Sequence, residues 1–357
     1  MSQIKNIKSS IHDYSLHFEP DLSFLALLLQ TPEAVFIVDK HVFELYLTQF
    51  SLIKNSGSLV LLDATEENKT LAGAEQVYDK IIALKPTKKT KIISIGGGIT
   101  QDVSGFVAST FYRGLHWIYV PTTLLAQADS CMGSKTSLNY KSYKNILGTF
   151  YPPHDIFVST EFTNTLKEED FYSGMGEVVK LHIMGGMEQL DLLSSQLSAI
   201  HGRDVATILS ATQQSLDIKW TYMDGDEFDQ GKRNLLNYGH EYGHALETAT
   251  HYKIPHGQAI IVGMILANNV AVTKRHLSVS LYEKINSVLF DLLKVDYKQL
   301  AQIDNSLVID AMKQDKKRIG NALPLIMMNE QFDFFKITDF TLQEAADALD
   351  NFKRVYC

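Results

Sequence analysis

KRNLLNYGHEYGHALETATHYKIPHGQAIIVG, residues 232–263, decides how the chain is read. His240 and His244 stand four apart in a pattern of helical period, expected to run over Gly231–Thr248, so both imidazoles lie on one helix face. His256 follows Pro255 and precedes Gly257. Two imidazoles on a helix, a short turn and a third imidazole suit a metal ion. One such histidine alone is more often a core or capping residue; three gathered together favour ligation.

His240-Glu241-Tyr242-Gly243-His244 also fits H-E-x-x-H, the zincin protease pattern, with the glutamate as general base. That reading fails on its third ligand. The metzincin continuation requires glycine at 247 and histidine at 250, where the chain has Glu247 and Thr250. A downstream glutamate is no better, because no acidic residue stands between Glu247 and Glu283.

The chain has 357 residues, which favours two domains over one core. Its 45% hydrophobic and 21% charged residues are those of a globular protein, and a net charge of -8 argues against a general nucleic-acid binder. Two cysteines, Cys131 and Cys357, build neither a disulfide framework nor a cysteine zinc site, which fits a reducing, cytoplasmic setting. The first residues lack the layout of a signal peptide, and no apolar run reaches the length of a membrane span.

Apolar runs at Ala34–Asp39, Ser58–Asp63, Lys91–Ile95, Trp117–Val120 and Asp155–Val158 read as strands, with helical patterns between several of them, as at Thr70–Leu84 and Thr100–Thr110. That alternation predicts an α/β domain with a mostly parallel sheet over residues 1–165. From 166 to 357 helical periods dominate, at Glu168–Met184, Asp204–Tyr222, Ala259–Lys274, Leu281–Leu293 and Leu342–Lys353, with one β-like run at Leu323–Met328. This half is expected to be an all-α domain.

Two stretches of the first half carry binding chemistry. Gly96-Gly97-Gly98 lies between a strand and a helix opening at Ile99-Thr100-Gln101-Asp102, which allows close backbone approach of an anion to a helix N-terminus. Asp39 ends one strand, and Glu66 and Lys69 follow another; singly, each reads as a cap or a solvated charge. Pro121–Gly148 gathers Thr122, Thr123, Asp129, Ser130, Lys135, Lys144 and Asn145, a set suited to phosphate oxygens, though in part a solvated loop. In the second half, Glu177 and Lys180 sit three apart among small and apolar neighbours, which points Glu177 inward.

Together the motifs GGGITQD (96–102), FYRG (111–114), VPTTLLAQADS (120–130), GSKTSLN (133–139), KNILGTFYPP (144–153), GMGEVVK (174–180), RNLLNYGHEYGHALE (233–247), HGQA (256–259) and DKK (315–317) resemble the 3-dehydroquinate synthase family, within the wider sugar phosphate cyclases. The resemblance implies an NAD-binding α/β domain followed by a helical metal-binding domain. It implies zinc, or cobalt, on Glu177, His240 and His256, and assigns His244 to substrate instead. It carries NAD contacts to Asp39, Glu66, Lys69, Gly98, Ile99, Thr100, Gln101, Asp102, Thr122, Thr123, Lys144, Phe162 and Thr165. Substrate contacts fall on Asp129, Lys135, Asn145, Lys180, Lys219, Arg233, Asn237, His244 and one of Lys316 or Lys317, with Lys317 preferred. Arg113 resembles a residue that reaches across a homodimer interface.

The implied reaction is a phosphate-eliminating, carbon–oxygen lyase cyclisation of the shikimate pathway of aromatic amino-acid biosynthesis. In it 3-deoxy-D-arabino-heptulosonate 7-phosphate becomes 3-dehydroquinate by oxidation, β-elimination, reduction and aldol closure, with NAD used catalytically. Lys219 and Arg233 stand where that family receives a substrate carboxylate; buried cations without an anion are costly, which favours an acid substrate. Ser134, Tyr140, Asp229, Glu241 and Gln258 depart from the family pattern. They leave open a cyclase acting on a sugar phosphate without a carboxylate, such as a 2-deoxy-scyllo-inosose or valiolone synthase. A metal-dependent polyol dehydrogenase and a binding-only homologue also stay open.

Overall fold

Ala34–Asp39 and Trp117–Pro121 are buried along nearly their whole length, Lys91–Gly96 likewise, and all three are rich in β-branched and aromatic residues. Strands covered on both faces are those of a parallel sheet flanked by helices. The computed structural model describes residues 3–54, 57–141, 143–314 and 323–356. Its contacts divide the chain into two compact units, Met1–Leu166 with Arg203–Gln213, and Lys167–Gly202 with Gln214–Cys357.

The strands of the first unit are β1 (Gln3–Ile7), β2 (Tyr14–Phe18), β3 (Ala34–Asp39), β4 (Leu59–Leu62), β5 (Lys91–Gly96), β6 (Trp117–Pro121), β7 (Lys135–Tyr140), β8 (Tyr143–Phe150) and β9 (Asp155–Val158). Its helices include α1 (Phe24–Leu28), α2 (Lys40–Leu45), α3 (Leu71–Ala83) and α4 (Gly98–Thr110). Seven strands form one sheet in the order β1-β2-β9-β6-β5-β3-β4, parallel except where β1 pairs with β2. The strands expected from sequence are β3, β4, β5, β6 and β9. β1 and β2 escape notice because KNI and SLH mix polar and apolar residues as an exposed loop does.

Pro121–Gly148 departs furthest from the loop expectation. It holds a π-turn at Ala126–Ser130 and then the antiparallel hairpin β7–β8. Thr136, Leu138 and Asn139 are buried while Lys135 and Tyr140 are exposed, and the pairing with β8 shifts register between Leu138 and Tyr140, so no clean strand alternation shows in the sequence.

The second unit contains α5 (Glu168–Met184), α6 (Met187–His201), the second half of α7 (Val205–Met223), α8 (His240–Ala249), α9 (His256–Thr273), α10 (Val279–Leu292), α11 (Tyr297–Ala301), α12 (Asn305–Gln314) and α13 (Leu342–Tyr356). It is mostly helical, not all-α, because Leu323–Met328 (β10) pairs antiparallel with Phe334–Phe340 (β11). The single helix expected over Gly231–Thr248 is two: a 3-10 turn at Lys232–Asn237, then α8. Gly239 breaks them at φ 80, where a Cβ would stand 2.6 Å from Met264 Cγ and 2.9 Å from the Ile260 carbonyl oxygen. α9 is long and apolar enough to cross a membrane, but 78% of it is buried inside the fold, as befits a core helix.

A histidine stack in the first unit predicts an acid response. His154 lies between His12, at a centroid distance of 4.0 Å, and His116, at 3.9 Å. Burial first, then the neighbouring His116 and His12, push His154 down to about 4 from 6.5. The folded state therefore refuses a proton that the unfolded chain accepts. Stability is intact above about pH 6.5 and falls progressively toward pH 4. After discounting for partial exposure the loss is about 1–2 kcal/mol. Urea midpoints measured across this range should show it, and His154→Phe, which keeps a stacked ring, should flatten it.

Candidate active site

Glycine-to-backbone packing sets the geometry of the helical unit's histidine cluster. α5 is buried from Phe171 to Met184, and it meets the start of α9 at almost no separation. A Cβ on Gly176 would stand 2.2 Å from the Gly257 carbonyl oxygen, and one on Gly257 would stand 1.7 Å from that of Ser173. The Ser173 hydroxyl accepts from the Gly257 N–H at 3.0 Å. On its other side α9 meets α8 the same way, a Cβ on Gly263 falling 1.9 Å from the Gly239 carbonyl oxygen. Glu177 stands beside Gly176, His256 beside Gly257 and His240 beside Gly239, so these crossings bring the three side chains together.

One donor atom from each of Glu177, His240 and His256 lies within 4.8 Å of the others. His256 Nε2 is 3.2 Å and His240 Nε2 3.6 Å from Glu177 Oε1. His240 Nδ1 faces the Tyr238 carbonyl at 3.2 Å, and His256 Nδ1 faces Glu247 Oε2 at 3.2 Å. Glu177 is 1% exposed, as the apolar setting of its sequence neighbours requires, and Lys180 is its close ion-pair partner. Burial alone would raise the Glu177 carboxyl; Lys180, His256 and His240 outweigh it and hold the group well below the usual range. A carboxylate and two imidazoles aimed at one point match the donor chemistry of a three-ligand zinc site with an open position. His251, in the same stretch, is exposed and in a left-handed turn at φ 51.

The other candidates of this unit are Lys219, 5% exposed on α7, Arg233, 6% exposed in the 3-10 turn, Asn237 and the exposed His244. Asp226 holds the turn by accepting from the Arg233 N–H at 2.8 Å, and the Arg233 guanidinium donates to the Glu227 carbonyl. Asn237 Nδ2 donates to the Asn234 carbonyl at 2.8 Å. Lys316 and Lys317 lie outside the described residues.

In the α/β unit, much of the predicted nucleotide set forms one bonded network. Lys69 Nζ is 2.5 Å from Asp102 Oδ2 and donates to Asn145 Oδ1 at 2.7 Å. Ser137 donates to both Asp102 oxygens, and Asn139 donates to Glu66 Oε1 at 2.9 Å while accepting from the Asn145 N–H. Lys144 pairs with Glu66 at 3.4 Å. Ser137 and Asn139 were not singled out from sequence; they stand two apart on β7, where they meet Asp102 and Glu66.

Beside this network, α4 starts at Gly98 with Gly97 as a cap that offers no side chain, leaving its first amides to an anion. A Cβ on Gly97 would meet the Thr123 side chain tightly, at 3.0 Å from Cγ2, whereas one on Gly98 would meet nothing nearer than Ser130 Oγ at 3.8 Å. Thr122 Oγ1 is buried with no hydrogen-bond partner. Asp39 caps α2 through the His41 N–H, and burial pushes its carboxyl up. Gln101 is locked to Ser130 by two hydrogen bonds. Phe162 packs in the apolar core against Tyr46, so its backbone, not its ring, is what a ligand would meet. Thr165 Oγ1 bonds Tyr46 at 3.0 Å. Asp129 is half-buried, and Lys135 is exposed. Arg113 is exposed on a turn at φ 69, next to Tyr112 at φ 52.

Two family descriptions match the chain, the 3-dehydroquinate synthase N-terminal domain over residues 59–173 and the C-terminal domain over residues 174–318. The 3-dehydroquinate synthase of Streptococcus equi subsp. equi is 32% identical over 335 residues, covering 92% of this chain and 92% of that protein. That of Clostridium tetani is 34% identical over 293 residues, covering 81% and 78%. The chain belongs to the 3-dehydroquinate synthase family. Among solved structures, 2-epi-5-epi-valiolone synthase from Streptomyces hygroscopicus subsp. jinggangensis, with NAD+ and Zn2+ bound, matches at a TM-score of 0.85 with 23% identity over 99% of both chains. That likeness speaks for the fold.

As a member of the 3-dehydroquinate synthase family the protein is an enzyme of the lyase type. Gln258 is a departure from the family pattern that the structure explains. Its amide donates to the Tyr172 and Leu292 carbonyls at 2.8 and 3.3 Å, and its oxygen accepts from the Lys294 N–H at 2.6 Å. A carboxylate there would face two carbonyls with no proton to give. Gln258→Glu, although it restores an acidic residue, should lower the unfolding free energy by about 1–3 kcal/mol, read as a lower urea midpoint.

Proposed function

We propose that the protein is a 3-dehydroquinate synthase acting on 3-deoxy-D-arabino-heptulosonate 7-phosphate, cytoplasmic and homodimeric. The observation that carries this reading is the burial of two cations, Lys219 and Arg233, in the same unit as the Glu177–His240–His256 set. Buried cations suit a bound anion that is not fully hydrated, and the substrate carboxylate is that anion.

Glu177, His240 and His256 would hold zinc or cobalt, and the first turn of α4 with Asp39, Glu66, Lys69, Thr122, Thr123 and Lys144 would hold NAD. The metal supplies Lewis-acid polarisation of a ring hydroxyl and NAD the hydride acceptor and donor when bound. In the helical unit, Lys180 keeps Glu177 ionised, Lys219 and Arg233 fix the carboxylate, and Asn237 and His244 orient ring hydroxyls. In the α/β unit, Asp129, Lys135 and Asn145 offer polar and cationic contacts to the sugar phosphate. Loss of phosphate by β-elimination needs the adjacent carbon acid to give up a proton, which the departing phosphate itself can accept. The protein's share is then orientation and charge placement. Arg113, held outward on its strained turn, is assigned to a second copy of the chain.

Phosphate release from the heptulosonate phosphate, glucose 6-phosphate and sedoheptulose 7-phosphate, measured in parallel with NAD+ and zinc, tests the substrate. Release from the heptulosonate alone is expected. Release only from a sugar lacking a carboxylate would overturn the substrate and keep the family.

A further inference from the structure

We propose that Glu247 is a positioning residue of the metal site, which orients His256 by accepting its Nδ1–H. The inference rests on the reading of Glu177, His240 and His256 as the metal ligands. His240, His244 and Glu247 follow one another at intervals of four and three along α8, so they share one face. His256 comes from the first turn of α9 and lies between two carboxylates, with Nε2 3.2 Å from Glu177 and Nδ1 3.2 Å from Glu247.

An imidazole presents its two nitrogens to different sides. A metal on the Glu177 side takes Nε2 and leaves Nδ1 to carry the proton. Glu247 is the acceptor that fixes this tautomer and the ring plane, as the Tyr238 carbonyl does for His240 at 3.2 Å. The Glu247 carboxylate, 13% exposed, also makes the imidazole a stronger donor to the metal. A competing arrangement exists on the same side chains: one donor atom from each of His244, Glu247 and His256 also lies within 4.8 Å of the others. In that arrangement Glu247 is itself a ligand and His240 is dispensable. Both nitrogens of His240 are already committed, one to Tyr238 and one toward Glu177, which favours the first arrangement.

The test is Zn2+ affinity of the metal-stripped full chain, by competition with a chromophoric chelator, together with the visible absorption of the Co2+-loaded protein. His240→Ala should lose roughly a thousandfold or more in affinity, and His244→Ala should stay within about threefold. Glu247→Ala should weaken binding about 10- to 100-fold and shift the Co2+ bands, with Glu247→Gln, which keeps a neutral acceptor, recovering part of the loss. An unchanged urea midpoint of metal-free Glu247→Gln separates this effect from folding. Wild-type affinity and spectrum in Glu247→Ala would overturn the proposal while leaving the ligand set intact. Loss of metal in His244→Ala with retention in His240→Ala would overturn the ligand set itself.

Discussion

Gly257→Ala is expected to abolish metal binding and to lower the stability of the helical unit by about 3–5 kcal/mol. The added methyl would lie 1.7 Å from the Ser173 carbonyl oxygen, a backbone atom that no rotamer change can move. Relief requires α5 and α9 to separate. Glu177 rides on α5 and His256 on α9, so any separation also pulls two of the three donors apart. Gly176→Ala, with its methyl 2.2 Å from the Gly257 carbonyl oxygen, should do the same. Gly202→Ala is the control: its nearest contacts are 3.4 and 3.5 Å, and a change below about 1 kcal/mol is expected. Urea midpoints and zinc content report the two effects. A Gly257→Ala protein with normal midpoint and full zinc would show that the helix crossing does not set the metal site.

Lys219→Met should reduce kcat/KM for the heptulosonate phosphate by about a thousandfold. A site built around a buried cation loses a charge-assisted contact and gains an uncompensated carboxylate when that cation is removed. Arg233→Met should cost at least as much, but its guanidinium also donates to the Glu227 carbonyl, so part of its effect is loosening of the turn. Lys219→Met is therefore the cleaner variant. A sugar phosphate without a carboxylate, which is not expected to turn over, should bind as a competitive inhibitor with little change in affinity in the same variant. An equal loss of affinity for the neutral sugar would show that Lys219 acts on the fold or on another substrate group.

The parallel core of the sheet was legible because β3, β5 and β6 are runs of apolar residues, and burial on both faces demands such runs. β7 and β8 were not: Ser137 and Asn139 of β7 bond to Asp102 and Glu66, so polar residues stand where an apolar face would announce a strand, and β8 is exposed or half-buried along its length. The histidine cluster of α8 and α9 could be read from spacing as a group, but spacing alone did not separate His240 and His256 from His244 as candidate ligands. Glu177 was readable only as an acid among apolar neighbours, because its partners come from helices distant in sequence. The helix break at Gly239 was missed for a similar reason. Only the close approach of α9 shows why a left-handed glycine is needed there. Gln258 shows the converse, a change that reads as lost chemistry yet completes three backbone hydrogen bonds.

The most direct test of the proposed chemistry is the yield of phosphate per NAD+. Protein loaded with zinc is given the heptulosonate phosphate in large excess over NAD+, and phosphate, dehydroquinate and NADH are followed together. Many phosphates and an equal amount of dehydroquinate per NAD+ are expected, with no net NADH, because the hydride removed from the ring is returned to it. NADH formed one for one with substrate oxidised, without phosphate release, would contradict that chemistry and make the protein a dehydrogenase.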